Sequence, residues 1–191
     1  MLNRRTTLLS LAALSLAGRS IAASLGDDGL YDSDLLSDTF LELGPDLDEA
    51  GGAAKGLIVL FEQRGCPYCR ELHEANFARE DIATFQGAHF MTVQLDLWGS
   101  RPVVDFDGEA LEERELAVKW GVNFTPTLAF FTIESGAAEV FRMPGYFKPF
   151  HYLSALEYVA LGHFADQPFQ RYLQDKLADL AARGVDPAVW E

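Results

Sequence analysis

The chain has 191 residues, of which 49% are hydrophobic and 12% aromatic, enough to bury the core of one globular domain. Its 15 Lys and Arg residues against 29 Asp and Glu residues give a formal net charge of −14, which repels nucleic-acid phosphates and anionic lipid surfaces. Composition therefore excludes a disordered chain and argues against nucleic-acid binding.

Residues 1–23 have the pattern of a secretory signal peptide. Arg4 and Arg5 form a basic start, a mostly apolar run follows, and small residues end it near Ala22 or Ala23, where cleavage is expected. The run is shorter than the ~20 residues of a membrane helix, so we expect no integral membrane segment in the mature chain. The arginine pair is similar to a twin-arginine export signal, with a general secretion signal as the alternative. Both routes predict a periplasmic protein.

The first half of the mature chain predicts a βαβα order. Residues 24–38 are acidic and contain glycine, which predicts a flexible tether, with order beginning near Thr39. Apolar runs and helical spacing then predict a strand at 40–43, a helix at 47–54, a buried strand at 57–61, a helix at 66–79, a strand at 89–97 and an amphipathic helix at 109–120.

The second half predicts a hairpin and two helices. Strands are predicted at 127–132 and 138–143, followed by helices at 150–161 and 169–182. A βαβα unit followed by ββα describes an α/β sandwich with a mixed central sheet and helices on both faces. We therefore predict one domain over 39–191, including a C-terminal helical extension over 164–183.

Two cysteines, Cys66 and Cys69, carry most of the functional information. They lie in the segment Gly65-Cys66-Pro67-Tyr68-Cys69, which opens a predicted helix directly after a buried strand. Free N–H groups at a helix start favour an anion, which predicts that Cys66 is the attacking thiolate. Cys69 follows on the same helical face, close enough to close a small disulfide ring, and is the predicted resolving thiol. Pro67 suits the first helical turn because its missing N–H costs nothing there.

Structural and metal-binding uses of the pair are the alternatives. A structural disulfide is rarely confined to one helical turn, and a tetrahedral zinc site needs two further ligands. We expect His73, four residues after Cys69, to be a solvated helix residue and not a ligand. The pattern thus favours dithiol redox chemistry, with neither a metal nor a cofactor.

The cysteine motif and a downstream Thr125-Pro126 segment together resemble the thioredoxin superfamily. The resemblance covers roughly residues 40–160 and implies a thioredoxin-like fold. It further implies a cis bond before Pro126, which would pack against the two cysteines. By the same resemblance, Pro126 and the Thr125 backbone would guide the substrate and shield the thiolate.

Several phrases resemble the exported thioredoxin of bacterial sulfur-oxidation operons, the SoxW type. They are Phe61-Glu62-Gln63, the run from Cys66 to Glu74, the run from Phe124 to Thr127, and the run from Pro144 to Pro149. This resemblance implies a thiol:disulfide oxidoreductase that reduces disulfides of exported proteins such as sulfur-oxidation or cytochrome-maturation partners. It also implies a membrane thiol-electron transporter as the reductant.

One position departs from thioredoxin itself. Leu60 stands where thioredoxin has a buried Asp that helps the second thiol to lose its proton. Glu62, two residues on, faces the same side of the strand and is nearer the cysteines. We hypothesise that Glu62 is the proton acceptor for Cys69; the alternative is a solvated Glu at a strand end.

The sequence leaves the direction of electron flow open. Tyr68 brings no charge to the motif, and a Pro-Tyr centre is compatible with a reductant or a moderate oxidant. The alternatives are therefore a periplasmic disulfide oxidant or isomerase, and a non-enzymatic metal carrier or assembly chaperone that holds copper or zinc on the two thiols. The connection from Trp98 to Gly108 predicts either a partner-selecting cap or an ordinary surface loop.

Overall fold

The structure, a computed structural model, describes residues 24–187, so the predicted signal peptide lies outside the described residues. The strands are β1 (Ser24–Leu25), β2 (Tyr31–Asp32), β3 (Gly56–Glu62), β4 (Phe90–Asp96), β5 (Pro102–Val104), β6 (Ala110–Glu112), β7 (Thr127–Phe131) and β8 (Phe141–Pro144). The helices are α1 (Leu43–Gly52), α2 (Pro67–Glu71), α3 (Glu80–His89), α4 (Glu113–Lys119), α5 (Pro149–Ala160) and α6 (Phe169–Ala182), with a π-helical turn at Leu72–Phe77 and a 3-10 turn at His163–Ala165.

A four-stranded mixed sheet in the order β4-β3-β7-β8 forms the centre of the fold. Strand β3 runs parallel to β4 and antiparallel to β7, and β7 pairs antiparallel with β8. Residues 57–62 of β3 are all buried, which explains the unbroken apolar run of its sequence. The predicted mixed sheet is confirmed, and its central strand leads directly to the cysteine motif.

Helices cover both faces of this sheet, as predicted. On one face, Leu47 of α1 and Leu116 of α4 pack with Phe61 of β3. On the other face, Tyr152 of α5 packs with Leu60 of β3, and α3 and α6 complete that layer. Successive side chains of β3 alternate between the two clusters, as the pleat of a strand requires.

The chain enters α1 through a turn instead of the strand predicted at 40–43. Phe40 is 94% exposed, and Leu41 has a positive φ of 56°. The hydroxyl of Thr39 accepts the Leu41 N–H and donates to Asp46 in α1. These local hydrogen bonds compete with strand formation and direct the chain into the helix.

The helices predicted at 66–79 and 109–120 are both subdivided. The first comprises α2 and the π-helical turn. Arg79 then adopts an extended backbone, and α3 begins after it. The sequence did not predict α3. The second starts only at Glu113, because residues 110–112 pair with β5 and Glu112 forms a capping box with Glu115.

Residues 24–38, for which the sequence predicts a tether, contact the sheet in the structure. The two-residue strands β1 and β2 pair as a hairpin, and Leu30 between them is 2% exposed. Leu36 forms a bridge with Thr92 of β4. The side chain of Gln94 in β4 donates to the carbonyl of Tyr31. Packing therefore extends N-terminal to Thr39.

Within residues 24–187, the helices are all too short or too polar to cross a bilayer.

Candidate active site

Cys66 and Cys69 form a disulfide at the start of α2, with their Cα atoms 5.2 Å apart. Gly65 precedes the pair with a φ of +70°, a conformation that glycine adopts without strain, and turns the chain from β3 into the helix. Cys66 is the N-cap residue, Pro67 occupies the first turn, and the Cys69 N–H donates to Cys66 Sγ at 3.0 Å. The motif thus has the strand, turn and helix start that the sequence predicted.

The two sulfurs differ in access. Cys66 is 3% exposed and Cys69 is completely buried. Cys66 also carries the backbone N–H contact that would stabilise a thiolate after reduction. Cys66 is therefore the slightly more exposed cysteine of the pair, and the attacking role of Cys66 and the resolving role of Cys69 stay predictions.

Thr125 and Pro126 face the disulfide from the entry of β7. The bond between them is cis, and both residues are buried. The Thr125 hydroxyl donates to Cys66 Sγ at 3.3 Å, and the Thr125 carbonyl oxygen lies 3.7 Å from the same sulfur. The structure therefore brings together Cys66, Cys69 and the Thr-Pro segment across 59 positions of sequence.

Aromatic side chains are exposed within the Cys-x-x-Cys motif and on segments that contact it. Tyr68 is 63% exposed within α2, and Phe124, next to Thr125, is 53% exposed. Trp98 is 71% exposed, and its indole N–H donates to the side chain of Gln63, three residues before Cys66. The extended loop after β4 therefore contacts the chain segment that leads into the active site.

Glu62 is fully buried, so the alternative prediction of a solvated glutamate at the strand end is wrong. Its carboxylate oxygens lie 3.1 and 3.2 Å from His73 Nε2, and Gln94 Nε2 donates to Oε2 at 2.5 Å. The prediction of a solvated His73 is also wrong, because this side chain is 3% exposed. Among residues 24–187, Glu62 hydrogen-bonds to His73 and Gln94, not to a cysteine.

Three residues of this buried cluster were not predicted from sequence: His73, Gln94 and Tyr31. The Tyr31 ring lies 5.5 Å from the His73 ring, and its carbonyl accepts from Gln94. A signal was available, because His73 lies one helical turn after Cys69 and Gln94 falls in the predicted strand at 89–97. The structure places that strand beside the strand of Glu62. In the part of the chain that the structure describes, no group of three or more His, Cys, Asp or Glu side chains is arranged to hold a metal ion.

Several solved structures are similar to this chain. A thioredoxin-fold protein from Helicobacter pylori matches with a TM-score of 0.56 and 22% identity, over 76% of this chain and 89% of that one. A thioredoxin from Thermus thermophilus matches with a TM-score of 0.49 and 24% identity, over 62% and 83% of the two chains. A structure described as DsbH oxidoreductase matches with a TM-score of 0.47 and 19% identity, over 82% and 95%. Among curated proteins, none matches this sequence.

A Cys-x-x-Cys disulfide at a helix start, in contact with a Thr-Pro segment at the end of a mixed sheet, defines a thioredoxin-fold redox site. The family model of the thioredoxin-like domain matches residues 43–160. The chain therefore belongs to the thioredoxin-like domain family, and its cysteine pair supports thiol-disulfide oxidoreductase activity.

We expect Thr125→Val to lower the reactivity of Cys66 in the reduced protein. The substitution removes the hydroxyl that donates to Cys66 Sγ, and a hydrogen bond to a charged group contributes about 1.5–3 kcal/mol. Alkylation by iodoacetamide at pH 7 should therefore slow by roughly tenfold. Thr84→Val, at an exposed position of α3, is the matched control. Equal alkylation rates for Thr125→Val and the wild type would show that the hydroxyl does not stabilise the thiolate.

Proposed function

We propose that the protein is an exported, periplasmic thiol:disulfide oxidoreductase of the SoxW type that reduces disulfides of other exported proteins. The observation that carries the proposal is the Cys66–Cys69 disulfide at the start of α2, with Thr125 and Pro126 against it. The signal-peptide pattern of residues 1–23 supports the location.

The proposed reaction begins when the Cys66 thiolate attacks one sulfur of a substrate disulfide. This attack forms a mixed disulfide and releases the other substrate thiolate. Cys69 then attacks Cys66 Sγ, which breaks the mixed disulfide, releases the second substrate thiolate and leaves Cys66–Cys69 oxidised. The substrate loses its disulfide by gaining two electrons, and the cysteine pair supplies them.

The partners proposed are sulfur-oxidation or cytochrome-maturation proteins that carry exported cysteines, and a membrane thiol-electron transporter that re-reduces the pair. The exposed aromatic side chains of Tyr68 and Phe124 beside the disulfide support a protein as the substrate, because apolar surface around a reactive group favours protein docking. Phosphorylated or anionic ligands are disfavoured by the acidic charge of the chain.

The equilibrium reduction potential of the Cys66–Cys69 pair tests the direction of electron flow. A value near or below about −230 mV against a glutathione or dithiothreitol series is expected for a reductase. A value of about −120 to −180 mV would instead assign an oxidant or isomerase and overturn the proposed direction. Insulin reduction by the purified protein tests the activity itself, because a metal carrier without redox turnover would leave the insulin disulfides intact.

A further inference from the structure

The contact between Glu62 and His73 indicates which imidazole nitrogen donates to the carboxylate. An ionised carboxylate only accepts hydrogen bonds, so the His73 Nε2 that faces both oxygens of Glu62 is the donor. In the neutral imidazole, the other nitrogen, Nδ1, then carries the lone pair and is the basic atom. Gln94 donates to the same carboxylate and thereby holds it in place for His73.

His73 Nδ1 is buried and has no hydrogen-bond partner among the described residues 24–187. Buried polar atoms are almost always paired, so an unpaired one requires an explanation. The structure holds the cysteines as a disulfide, in which neither sulfur carries a proton. Reduction creates a new S–H donor at each cysteine, and one of these can provide the missing partner.

Cys69 is the cysteine nearer to His73 along the helix. His73 follows it by four residues, and side chains at this spacing share a helix face. Helical side chains are also directed toward the N-terminus, which places that of His73 over the turn containing Cys69. A π-helical turn begins at Leu72, between Cys69 and His73, and in it the Ala78 N–H donates to the His73 carbonyl. Such turns occur frequently at functional sites.

We propose that His73 Nδ1 is the proton acceptor for the Cys69 thiol and that Glu62 is a positioning residue that holds the imidazole through Nε2. When Cys69 attacks the mixed disulfide, its S–H proton moves to Nδ1 and its sulfur forms the bond to Cys66 Sγ. The bond between Cys66 and the substrate sulfur breaks, and the substrate leaves as a thiolate. Glu62 stabilises the imidazolium that results. The catalytic step rests on the proposed oxidoreductase function.

The groups around the pair are compatible with this transfer. Tyr31 of the N-terminal hairpin faces His73, and Asp96 of β4 is in register with Glu62. Tyr152 of α5 is buried; burial and the nearby charge of Glu62 raise its pKa well above the ordinary value, so it stays neutral. The Asp96 carboxylate accepts the Trp98 N–H and lies 3.8 Å from Arg64. Because an arginine guanidinium stays protonated in proteins, His73 and not Arg64 is the nitrogen base that can accept a proton here.

A single-cysteine protein tests the proton transfer directly. In a Cys66→Ser background only Cys69 can form a thiolate, which absorbs near 240 nm and can be titrated with pH. Adding His73→Gln should lower the thiolate fraction at pH 7 by about tenfold. His89→Gln, at the opposite end of β4, is the control and should leave the titration unchanged. Superimposable titrations with and without His73 would overturn the proposal.

A measurement on the wild-type protein tests the same assignment without depending on the folding of a variant. The ¹⁵N resonance of His73 Nδ1 should shift when the wild-type disulfide is reduced, because the atom gains a hydrogen bond or a proton. An Nδ1 resonance that is identical in both redox states would contradict the assignment. Glu62→Gln should leave Nδ1 able to respond but weaken the response, since a neutral amide stabilises the imidazolium less than a carboxylate does.

The rates of the two thiol steps distinguish the role proposed for His73 from the proposed reductase function. His73→Gln should slow the second, Cys69-dependent step about 100-fold at pH 7 while the first attack by Cys66 keeps its rate. Slowing of both steps alike would overturn the role of His73. A wild-type protein that leaves insulin intact but shows the His73-dependent thiolate titration would refute the reductase function and retain the Cys69–His73 coupling.

Discussion

We expect Cys69→Ser to trap a mixed disulfide with the substrate and Cys66→Ser to form none. Cys66→Ser should reduce the rate of insulin reduction to that of the uncatalysed reaction, because the remaining Cys69 is completely buried. Cys69→Ser should still attack the substrate and then stop, since no thiol remains to resolve the mixed disulfide. Mass spectrometry of the non-reduced protein should detect a stable substrate adduct with Cys69→Ser and none with Cys66→Ser.

A serine at a position unrelated to the active site controls for the substitution itself. Ala88→Ser lies at an exposed position near the end of α3, opposite the active-site end of the sheet, and should keep the wild-type activity. An adduct on Cys66→Ser but not on Cys69→Ser would reverse the two assigned roles. Adducts on both variants would mean that burial in the oxidised state does not decide which sulfur is attacked.

The features that the sequence predicted well are those decided by short-range chemistry. Residues 57–69 contain an apolar strand, a glycine turn and a proline in the first helical turn, and each is recognisable within a few positions. Helix α6 has the predicted bounds because Phe169, Tyr172 and Leu173 repeat at helical spacing on one face. The position of Thr125-Pro126 opposite the cysteines came from the family resemblance, since nothing in its neighbourhood predicts a contact 59 residues away.

The environment of His73 was predicted incorrectly because it is assembled from distant segments. Its carboxylate partner comes from β3, and the ring of Tyr31 covers it from a segment expected to be a tether. Polarity alone favours exposure for a histidine flanked by Leu72 and Glu74. The packing of β2 against the site buries His73 instead, and no local sequence pattern predicts such packing.

The same reasoning explains why the loop after β4 could not be assigned. Trp98 was predicted either in a partner-selecting cap or in an ordinary surface loop, and its role depends on what fixes that loop. Glu113, the first residue of α4, is 1% exposed and accepts hydrogen bonds from both ends of the loop. The donors are the Asp96 N–H at 2.8 Å and the Arg101 N–H at 3.1 Å.

Removal of this buried carboxylate is expected to cost more stability than removal of an acidic side chain on the surface. Glu113→Ala leaves the Asp96 and Arg101 N–H groups and the Arg101 guanidinium without their acceptor, which should lower the free energy of unfolding by about 3 kcal/mol. The loop carrying Trp98 should loosen with it, so its amides should exchange with deuterium faster. Denaturant unfolding and hydrogen exchange measure the two effects.

Two further variants separate the hydrogen bonds from the charge. Glu113→Gln keeps an acceptor oxygen for the backbone amides but loses the ion pair with Arg101, whose side chain is 48% exposed, so its loss of stability should be smaller. Glu134→Ala lies at an exposed position of the turn between β7 and β8. Its free energy of unfolding should be within about 0.5 kcal/mol of that of the wild type. If Glu113→Ala matched Glu134→Ala, Glu113 would not be what holds the Trp98 loop beside Gln63, and the route from this loop to the active site would have to lie in other contacts.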